Sequence, residues 1–342
     1  MLITSTSATG GPYQSTVGYP TQVQAQVQEN CGNPLPSAGD SQTALVIGTN
    51  QNGDPPIALV SIGNGFYEAS YQPSTPGPTA LTITALAGSL TSAQTILPLG
   101  IQVNPGQPTM TPGGIVNAAS YAGGPLAPGS IISIFGSNMA SQSGGASTIP
   151  LPQNLNGAKL FIEGNPTALF YAANGQVNAQ LPFELPANGQ AQVLLSAPAG
   201  SPTAPQTIVV GAAQPGIFSV SASGAGQGVI FNNPALQLVD AAAPAKAGDV
   251  VTVYCTGLGL TTPVAPATGT ATPKGLFNVT VPVTATIGGI NAPVQFAGLT
   301  SGFVGLYQVN IQIPQGVAAG DTVPLTITQN GVASNTVTLA VH

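Results

Sequence analysis

Apolar and polar residues alternate over short segments along most of the chain, a pattern typical of strands that bury one face. The segment 307–313 reads YQVNIQI, so its apolar side chains and its amides point to opposite faces. Val251, Val253 and Cys255 likewise share one face of VVTVYCTG. The segments are separated by turns drawn from 44 Gly and 33 Pro, and none shows sustained helical periodicity. We therefore expect an all-β chain of antiparallel sandwiches or barrels, with almost no helix.

Three motifs recur in the same order, which indicates an internal repeat. The matched pairs are APGSIISIFGSNM (127–139) with KAGDVVTVYCTGL (246–258), EGNPTALF (163–170) with GGINAPVQF (288–296), and QVNAQLP (176–182) with QVNIQIP (308–314). The offset between the copies drifts along the chain, which indicates loop insertions. We predict β-sandwich domains at 1–105, 113–212 and 213–342, with the Pro-rich segment 104–112 as a linker.

Charged residues are scarce, at 4% of the chain, and Lys159, Lys246 and Lys274 are its only strong bases. Three scattered lysines cannot neutralise a nucleic-acid backbone, so we expect no nucleic-acid partner. No apolar run reaches the length of a membrane helix, so we expect no membrane span. A neutral, amide-rich surface pays little desolvation on meeting another copy, which makes self-association feasible. This composition leads us to expect an extracellular or cell-surface location.

Residues 113–342 resemble the C-terminal regions of secreted acidobacterial (Solibacter-type) proteins. The resemblance is carried by GGIVNAASYAGGPLAPGSIISIFGSNM, QVNAQLPFELP, YCTGLG and GLYQVNIQIP. Those regions are similar to IPT/TIG domains, so the resemblance implies tandem Ig-like antiparallel β-sandwich domains and secretion. It implies no active site. In the first domain, GFYEASYQPSTPGP is similar to the Tyr-containing corner of bacterial Ig-like repeats.

Catalytic chemistry has few candidate residues. The single histidine is the terminal His342, and the chain lacks the G-x-S-x-G, phosphate-loop and HExxH motifs. GAGQG at 224–228 precedes a strand-like segment rather than a helix, so we expect a turn there and not a nucleotide site. The nine acidic residues show no clustering that suggests paired catalytic carboxylates. We expect a protein that is not an enzyme and binds no cofactor.

Oxygen-rich and sulfur side chains offer two weaker candidates. Asn50–Asp54 (NQNGD) could hold Ca²⁺, but Asn-Gly is a strong hairpin-turn signal, and we predict a turn and no metal. Cys255 alternates with buried positions, whereas Cys31 lies in a loop-like stretch. Their pairing is a candidate disulfide, intermolecular in particular, that requires Cys255 to be accessible.

Rows of amide side chains are the candidate assembly faces, because sheet faces and unpaired strand edges can contact other subunits. The candidate residues are Gln22, Gln24, Gln26, Gln308, Asn310 and Gln312. Gln176, Asn178 and Gln180 form the corresponding row in the first repeat copy. The segment Met1–Thr16 is a candidate donated strand. The 18 Tyr and Phe residues fall mostly within alternating strands, and we expect most of them in cores.

Three functions fit these observations. The first is a non-enzymatic structural protein of the cell surface or matrix whose partners are copies of itself, with a filament as one form. The second is a binding or adhesion module for an extracellular glycan, which an exposed aromatic platform would favour. The third is an accessory C-terminal region of a larger secreted enzyme.

Overall fold

The structure is a computed structural model that describes residues 2–5, 13–29, 31–35, 45–50, 53–86, 92–102, 106–197 and 202–342. The chain divides into two compact units, Met1–Gln107 and Pro108–His342. Within the described ranges every regular element is a strand and none is an α-helix. The predicted all-β fold of tandem Ig-like sandwiches is confirmed. In that same part of the chain, no helix has the length and apolar character needed to cross a bilayer.

Unit 1 (Met1–Gln107) is a sandwich whose two sheets share one strand. Its strands are β1 (Leu2–Ser5), β2 (Tyr13–Thr16), β3 (Thr21–Gln28), β4 (Leu45–Asn50), β5 (Ile57–Gly63), β6 (Phe66–Tyr71), β7 (Gly77–Leu86) and β8 (Ala93–Gln102). The hydrogen-bonded order is β1-β3-β6-β5-β4-β7-β8-β2, so β5 joins the two sheets. Alternation buries Val23, Ala25 and Val27 of β3 completely, as period-two strands require.

The first two strands pair within unit 1. Strand β1 runs antiparallel to β3, and β2 runs parallel to β8 on the other sheet. In the single chain these two strands complete the sheets of unit 1, and donation of Met1–Thr16 to another subunit stays a prediction. The remaining residues of that segment lie outside the described ranges.

The first repeat copy (copy 1, 113–212) lies in unit 2 (Pro108–His342) and is a two-sheet sandwich. It and the preceding strand comprise β9 (Thr109–Asn117), β10 (Ile131–Ser137), β11 (Gly144–Gly145), β12 (Lys159–Ile162), β13 (Asn165–Pro166), β14 (Leu169–Ala172), β15 (Gln176–Gln180), β16 (Gly189–Ser196) and β17 (Gln206–Val210). The sheets run β11-β14-β15-β10-β9 and β13-β12-β16-β17.

The second repeat copy (copy 2, 213–342) has the same plan with longer loops. Its strands are β18 (Gly216–Ile217), β19 (Ile230–Asn233), β20 (Val250–Thr256), β21 (Thr261–Thr262), β22 (Asn278–Val279), β23 (Val283–Ile287), β24 (Ile290–Ala292), β25 (Val294–Leu299), β26 (Tyr307–Gln312), β27 (Gly320–Gln329), β28 (Val332–Ala333) and β29 (Val337–Val341). One sheet is built on β20-β26-β25, and the facing sheet on β24-β23-β27 with β28 and β29.

The two copies pack directly against each other inside unit 2. Phe183 follows β15 of copy 1 but belongs to the hydrophobic cluster of copy 2, where burial of such a side chain contributes about 1.5–3 kcal/mol. Its ring lies where a Cβ on Gly129 would be, so this position requires glycine. Gly269 of copy 2 donates its N–H to Gln180 Oε1 at 2.6 Å, and Ile131 donates to Thr256 Oγ1 at 2.9 Å. The three-domain division stays a prediction.

Candidate binding faces

The amide rows lie on the outward faces of central strands. Strand β15 lies between β14 and β10, and β26 lies between β25 and β20. Tyr307, Val309 and Ile311 of β26 are buried, so Gln308 and Asn310 point away from that core. The sequence pattern placed these amides correctly, because strand parity fixes the face of each side chain.

In copy 2, aromatic rings border the amides. Across the sheet, Tyr254 of β20 pairs with Gln308, and Phe296 of β25 pairs with Asn310. Paired residues in adjacent strands project from the same face, so these four side chains form one surface. All four are half-buried. We call Tyr254, Phe296, Gln308 and Asn310 the copy 2 face.

Copy 1 repeats this arrangement residue by residue. Phe135 of β10 pairs with Gln176, and Tyr171 of β14 pairs with Asn178. These four side chains are also half-buried, and we call them the copy 1 face. Both faces therefore present one Gln and one Asn between two aromatic rings.

A β-bulge at the same place aims one ring in each face. In copy 1 the register shifts between Leu169 and Tyr171, and in copy 2 it shifts between Val294 and Phe296. A bulge inserts one residue and redirects the side chain that follows it. Gly298 makes room for the redirected ring in copy 2, because a Cβ there would collide with Phe296 and with the Phe277 carbonyl oxygen.

Each Gln–Asn pair is held by one hydrogen bond that leaves a donor and an acceptor unused. Gln308 Nε2 donates to Asn310 Oδ1 at 3.2 Å, and Gln176 Nε2 donates to Asn178 Oδ1 at 2.8 Å. Among the described residues, the Gln Oε1 and Asn Nδ2 atoms of both pairs have no protein partner. Because Oε1 accepts and Nδ2 donates, each face can satisfy a group that does both.

Further rings support the faces from the side. Phe231 packs edge-on against Tyr254 with centroids 5.8 Å apart, and Tyr121 lies 6.3 Å from Phe135. Tyr121 has φ 57°, a backbone conformation that is costly for a bulky residue. Strain of this kind concentrates at functional sites.

The expectation that most aromatics are core residues is wrong for these faces. Tyr67, Tyr71 and Tyr307 are buried, but the rings of the two faces point outward. The alternation of inward and outward residues along the strand predicts the outward ring of Tyr254, because this residue lies between the inward-facing Val253 and Cys255. The β-bulges that redirect Tyr171 and Phe296 leave no comparable mark in the sequence.

The remaining candidate assembly residues have separate surroundings. Gln312 donates to the Gly248 carbonyl oxygen at 3.1 Å instead of joining the Gln308–Asn310 pair. Gln22, Gln24 and Gln26 lie on the outward face of β3 in unit 1, with Gln24 donating to Glu68 at 2.7 Å. The structure therefore joins two of the six residues into one site, and their role in assembly stays a prediction.

Neither cysteine forms a disulfide within the chain. Both are free thiols, Cys31 exposed and Cys255 fully buried in the core of copy 2. Burial raises the pKa of the Cys255 thiol, which suppresses the reactive thiolate. A bridge to Cys255 would require that core to open.

Asp54 forms a buried network. Tyr71 and Asn50 donate to Asp54 Oδ2 at 2.6 and 2.9 Å, and Ser74 donates to Oδ1. Burial opposes ionisation, but the bonds from Ser74, Tyr71 and Asn50 outweigh it and hold the pKa of Asp54 below its ordinary value. Within the described ranges no group of three His, Cys, Asp or Glu side chains could hold a metal. Residues 51 and 52 of the candidate Ca²⁺ segment lie outside those ranges.

Comparison with known proteins finds only distant structural similarity. No family model matches the chain, and no curated protein matches it. Among solved structures, the chain is similar to the Bacteroides ovatus glucan-utilisation protein SGBP-B in complex with a mixed-linkage heptasaccharide, at 12% identity and a TM-score of 0.31 over 97% of this chain and 67% of that one. It is also similar to the I9–I11 tandem of titin, at 13% identity and a TM-score of 0.19, and the match covers 99% of this chain and 98% of the titin fragment. Invasin, a bacterial integrin-binding protein, is 13% identical with a TM-score of 0.24, and the match covers 99% of this chain and 60% of invasin. Scores this low carry no argument about function.

Proposed function

We propose that the repeat pair is a non-enzymatic, extracellular module that binds a neutral polysaccharide on its two aromatic–amide faces. The single observation that carries this proposal is the recurrence of the same ring–Asn–Gln–ring surface in both copies, each with a bulge that aims one ring. The core needs no outward-facing amide pair, and packing alone gives no reason to repeat one with the same unused donor and acceptor.

Sugar chemistry fits such a surface. A pyranose presents an apolar C–H face, which packs on an aromatic ring, and hydroxyl edges that both donate and accept hydrogen bonds. The Gln Oε1 and Asn Nδ2 atoms supply the complementary acceptor and donor. None of the eight side chains of the two faces is charged, which suits a neutral ligand. The resemblance to secreted acidobacterial proteins and the low charge support an extracellular location.

A polysaccharide binding assay with matched variants tests this proposal. Affinity electrophoresis of the full chain in gels containing neutral polysaccharides is expected to retard the wild-type protein. The variants Tyr171→Gln and Phe296→Gln each remove one ring and are expected to weaken retardation at least fivefold. The control is Phe303→Ala, which removes an aromatic ring that is 54% exposed and lies outside both faces. The proposal fails if no neutral polysaccharide retards the protein, or if the control weakens binding as much as the face variants do.

One observation in unit 1 favours a structural, self-assembling subunit as the second candidate. Val60 and Ile62 are 69% and 56% exposed on β5, and Val60 pairs with Glu68 beside the amide row of β3. Exposed apolar residues on an almost uncharged sheet face suit contact with another copy. Light scattering with electron microscopy tests it: assembly lost in Val60→Lys supports this candidate, and a monomer at high concentration rejects it.

A further inference from the structure

An apolar groove lies in unit 2, where loops of the two repeat copies meet. Its volume is about 420 Å³, and its lining includes Ile131 and Phe170 of copy 1 and Phe303 of copy 2. None of the lining residues is charged, and the polar side chains among them are the hydroxyls of Ser147 and Thr148. We call this feature the junction groove.

Hydrogen bonds between backbone groups fix the walls of the junction groove. The Leu151 N–H of copy 1 donates to the Gly269 carbonyl oxygen of copy 2 at 2.8 Å, and the Thr272 N–H donates to the Phe303 carbonyl oxygen at 2.9 Å. Two of the lining side chains still face water, since Ile149 is 56% exposed and Phe303 is 54% exposed. Walls that are ordered in advance lower the entropy cost of filling the groove.

Two side chains of copy 2 project into solvent from the loop that reaches this groove. Val264 is 86% exposed, more than any other large apolar side chain in the described ranges, and Leu276 is 69% exposed. Each lies two residues beyond Thr262 or Asn278, which pair in the β21–β22 ladder, so both leave the ladder at the same end. Pro263 fixes the backbone beside Val264. We call Val264 and Leu276 the apolar knob.

The segment between Val264 and Leu276 connects the apolar knob to the junction groove. Gly269, near the middle of this segment, accepts the hydrogen bond from Leu151 in the groove wall. An extended chain from residue 264 to residue 269 spans at most about 18 Å. The knob and the groove therefore belong to one surface of unit 2, and apolar residues gathered on one surface mark an interaction site.

We propose that this surface is a dimer interface, in which the apolar knob of each copy of the chain fills the junction groove of the other copy. A twofold dimer places the same surface of both copies in contact, so a neighbouring knob and groove satisfy each other reciprocally. Valine and leucine side chains suit a groove that offers two hydroxyls and no charge. The absence of charged lining residues also removes like-charge repulsion as an obstacle to this contact.

Sedimentation velocity of the full chain at increasing concentration tests the interface. We expect a dimer with a dissociation constant of about 10 μM or weaker, because a few apolar side chains from each copy make a small interface. Val264→Asp and Phe303→Asp are each expected to weaken dimerisation at least tenfold. Leu236→Asp is the control, because it places the same charge on a side chain that is 66% exposed and follows β19, at the opposite end of the sheet from β21.

Three results would overturn the proposal. The first is a chain that stays monomeric at the highest attainable concentration, and the second is a dimer that persists in Val264→Asp or is weakened equally by Leu236→Asp. The third is a dimer that Val60→Lys abolishes and Val264→Asp does not, because that result places the contact on unit 1.

A vesicle assay separates the dimer from a lipid-binding surface. If the wild-type chain is monomeric and sediments with phosphatidylcholine vesicles, and Val264→Asp does not, the knob inserts into lipid and the dimer proposal fails. Affinity electrophoresis uses protein far below the expected dissociation constant, so Phe303→Ala remains the control for polysaccharide binding. Failure of the dimer therefore leaves the proposed function standing, and failure of polysaccharide binding leaves the dimer standing.

Discussion

The same sequence motif forms one end of each repeat copy, but its residues are buried in copy 1 and exposed to solvent in copy 2. In copy 1, Ala127, Pro128, Gly129 and Ser130 are buried, and Gln180 is 1% exposed. The corresponding residues of copy 2, Lys246–Asp249, are exposed, and Gln312 is half-buried.

The strands of the two copies correspond, but the residues at this end differ. In copy 1 they suit packing against copy 2, and in copy 2 they suit contact with water. Copy 1 has small residues and Phe183, which enters the cluster of copy 2. At the matching position copy 2 has the exposed Gln315, and its motif carries Lys246 and Asp249. Exposed charges in place of apolar and small residues keep that end of copy 2 in water.

Exchanging the residues at this position is expected to give the largest effect. Phe183→Gln places an amide in the copy 2 cluster and removes a buried ring, so we expect a loss of about 3–5 kcal/mol in the free energy of unfolding. The reverse change at the solvated end, Gln315→Phe, is expected to alter it by less than about 0.5 kcal/mol. Urea denaturation followed by circular dichroism measures both. Equal effects of the two substitutions would contradict the distinction between the ends.

Substitution of the buried Gln180 is expected to give the next largest effect on the free energy of unfolding. Gln180→Leu leaves the Gly269 N–H without its acceptor at a buried site, which is expected to cost about 1–3 kcal/mol. Gln312→Leu removes only a bond from a half-buried amide to the Gly248 carbonyl oxygen, and its cost is expected to be under about 0.5 kcal/mol. The same denaturation experiment compares them. A larger loss for Gln312→Leu would show that copy 2 does not cover Gln180.

A smaller effect on the free energy of unfolding is expected at the ionised Asp54 network, which belongs to unit 1 and not to the repeat pair. Asp54 has a lowered pKa, so its contribution to stability is present above its ordinary pKa of 3.8 and is lost as the pH falls through the lower folded-state value. Asp54→Asn is expected to cost about 1–2 kcal/mol at neutral pH and to remove this acid dependence from unit 1. Calorimetry at neutral and acidic pH measures both. The network account is wrong if the acid dependence of the variant matches that of the wild type.

The strands and their parity could be predicted from the sequence, but their surroundings could not. Alternation placed Val309 and Ile311 inside and Gln308 and Asn310 outside, because this periodicity is local. Gln180 and Gln312 occupy the same position of the same motif, and only the packing of copy 2 onto copy 1 buries one of them. No local pattern distinguishes them.

The candidate site was predictable only in part. The amide rows were visible, and the position of Tyr254 between two inward-facing residues implies an outward ring. The pairing of Phe296 with Asn310 depends on a β-bulge, and no turn residue or change of period marks the bulge in the sequence.

The stoichiometry of oligosaccharide binding tests the central claim most directly. Titration calorimetry uses a neutral oligosaccharide from a polysaccharide that retards the wild-type protein. It is expected to give two sites for each chain, and one site in Asn310→Ala, which removes the unused donor of the copy 2 face. Asn178→Ala is expected to leave one site as well, and the double variant none. Binding that is absent in the wild type, or that persists at two sites in the double variant, would contradict the claim that the two faces are the binding surface.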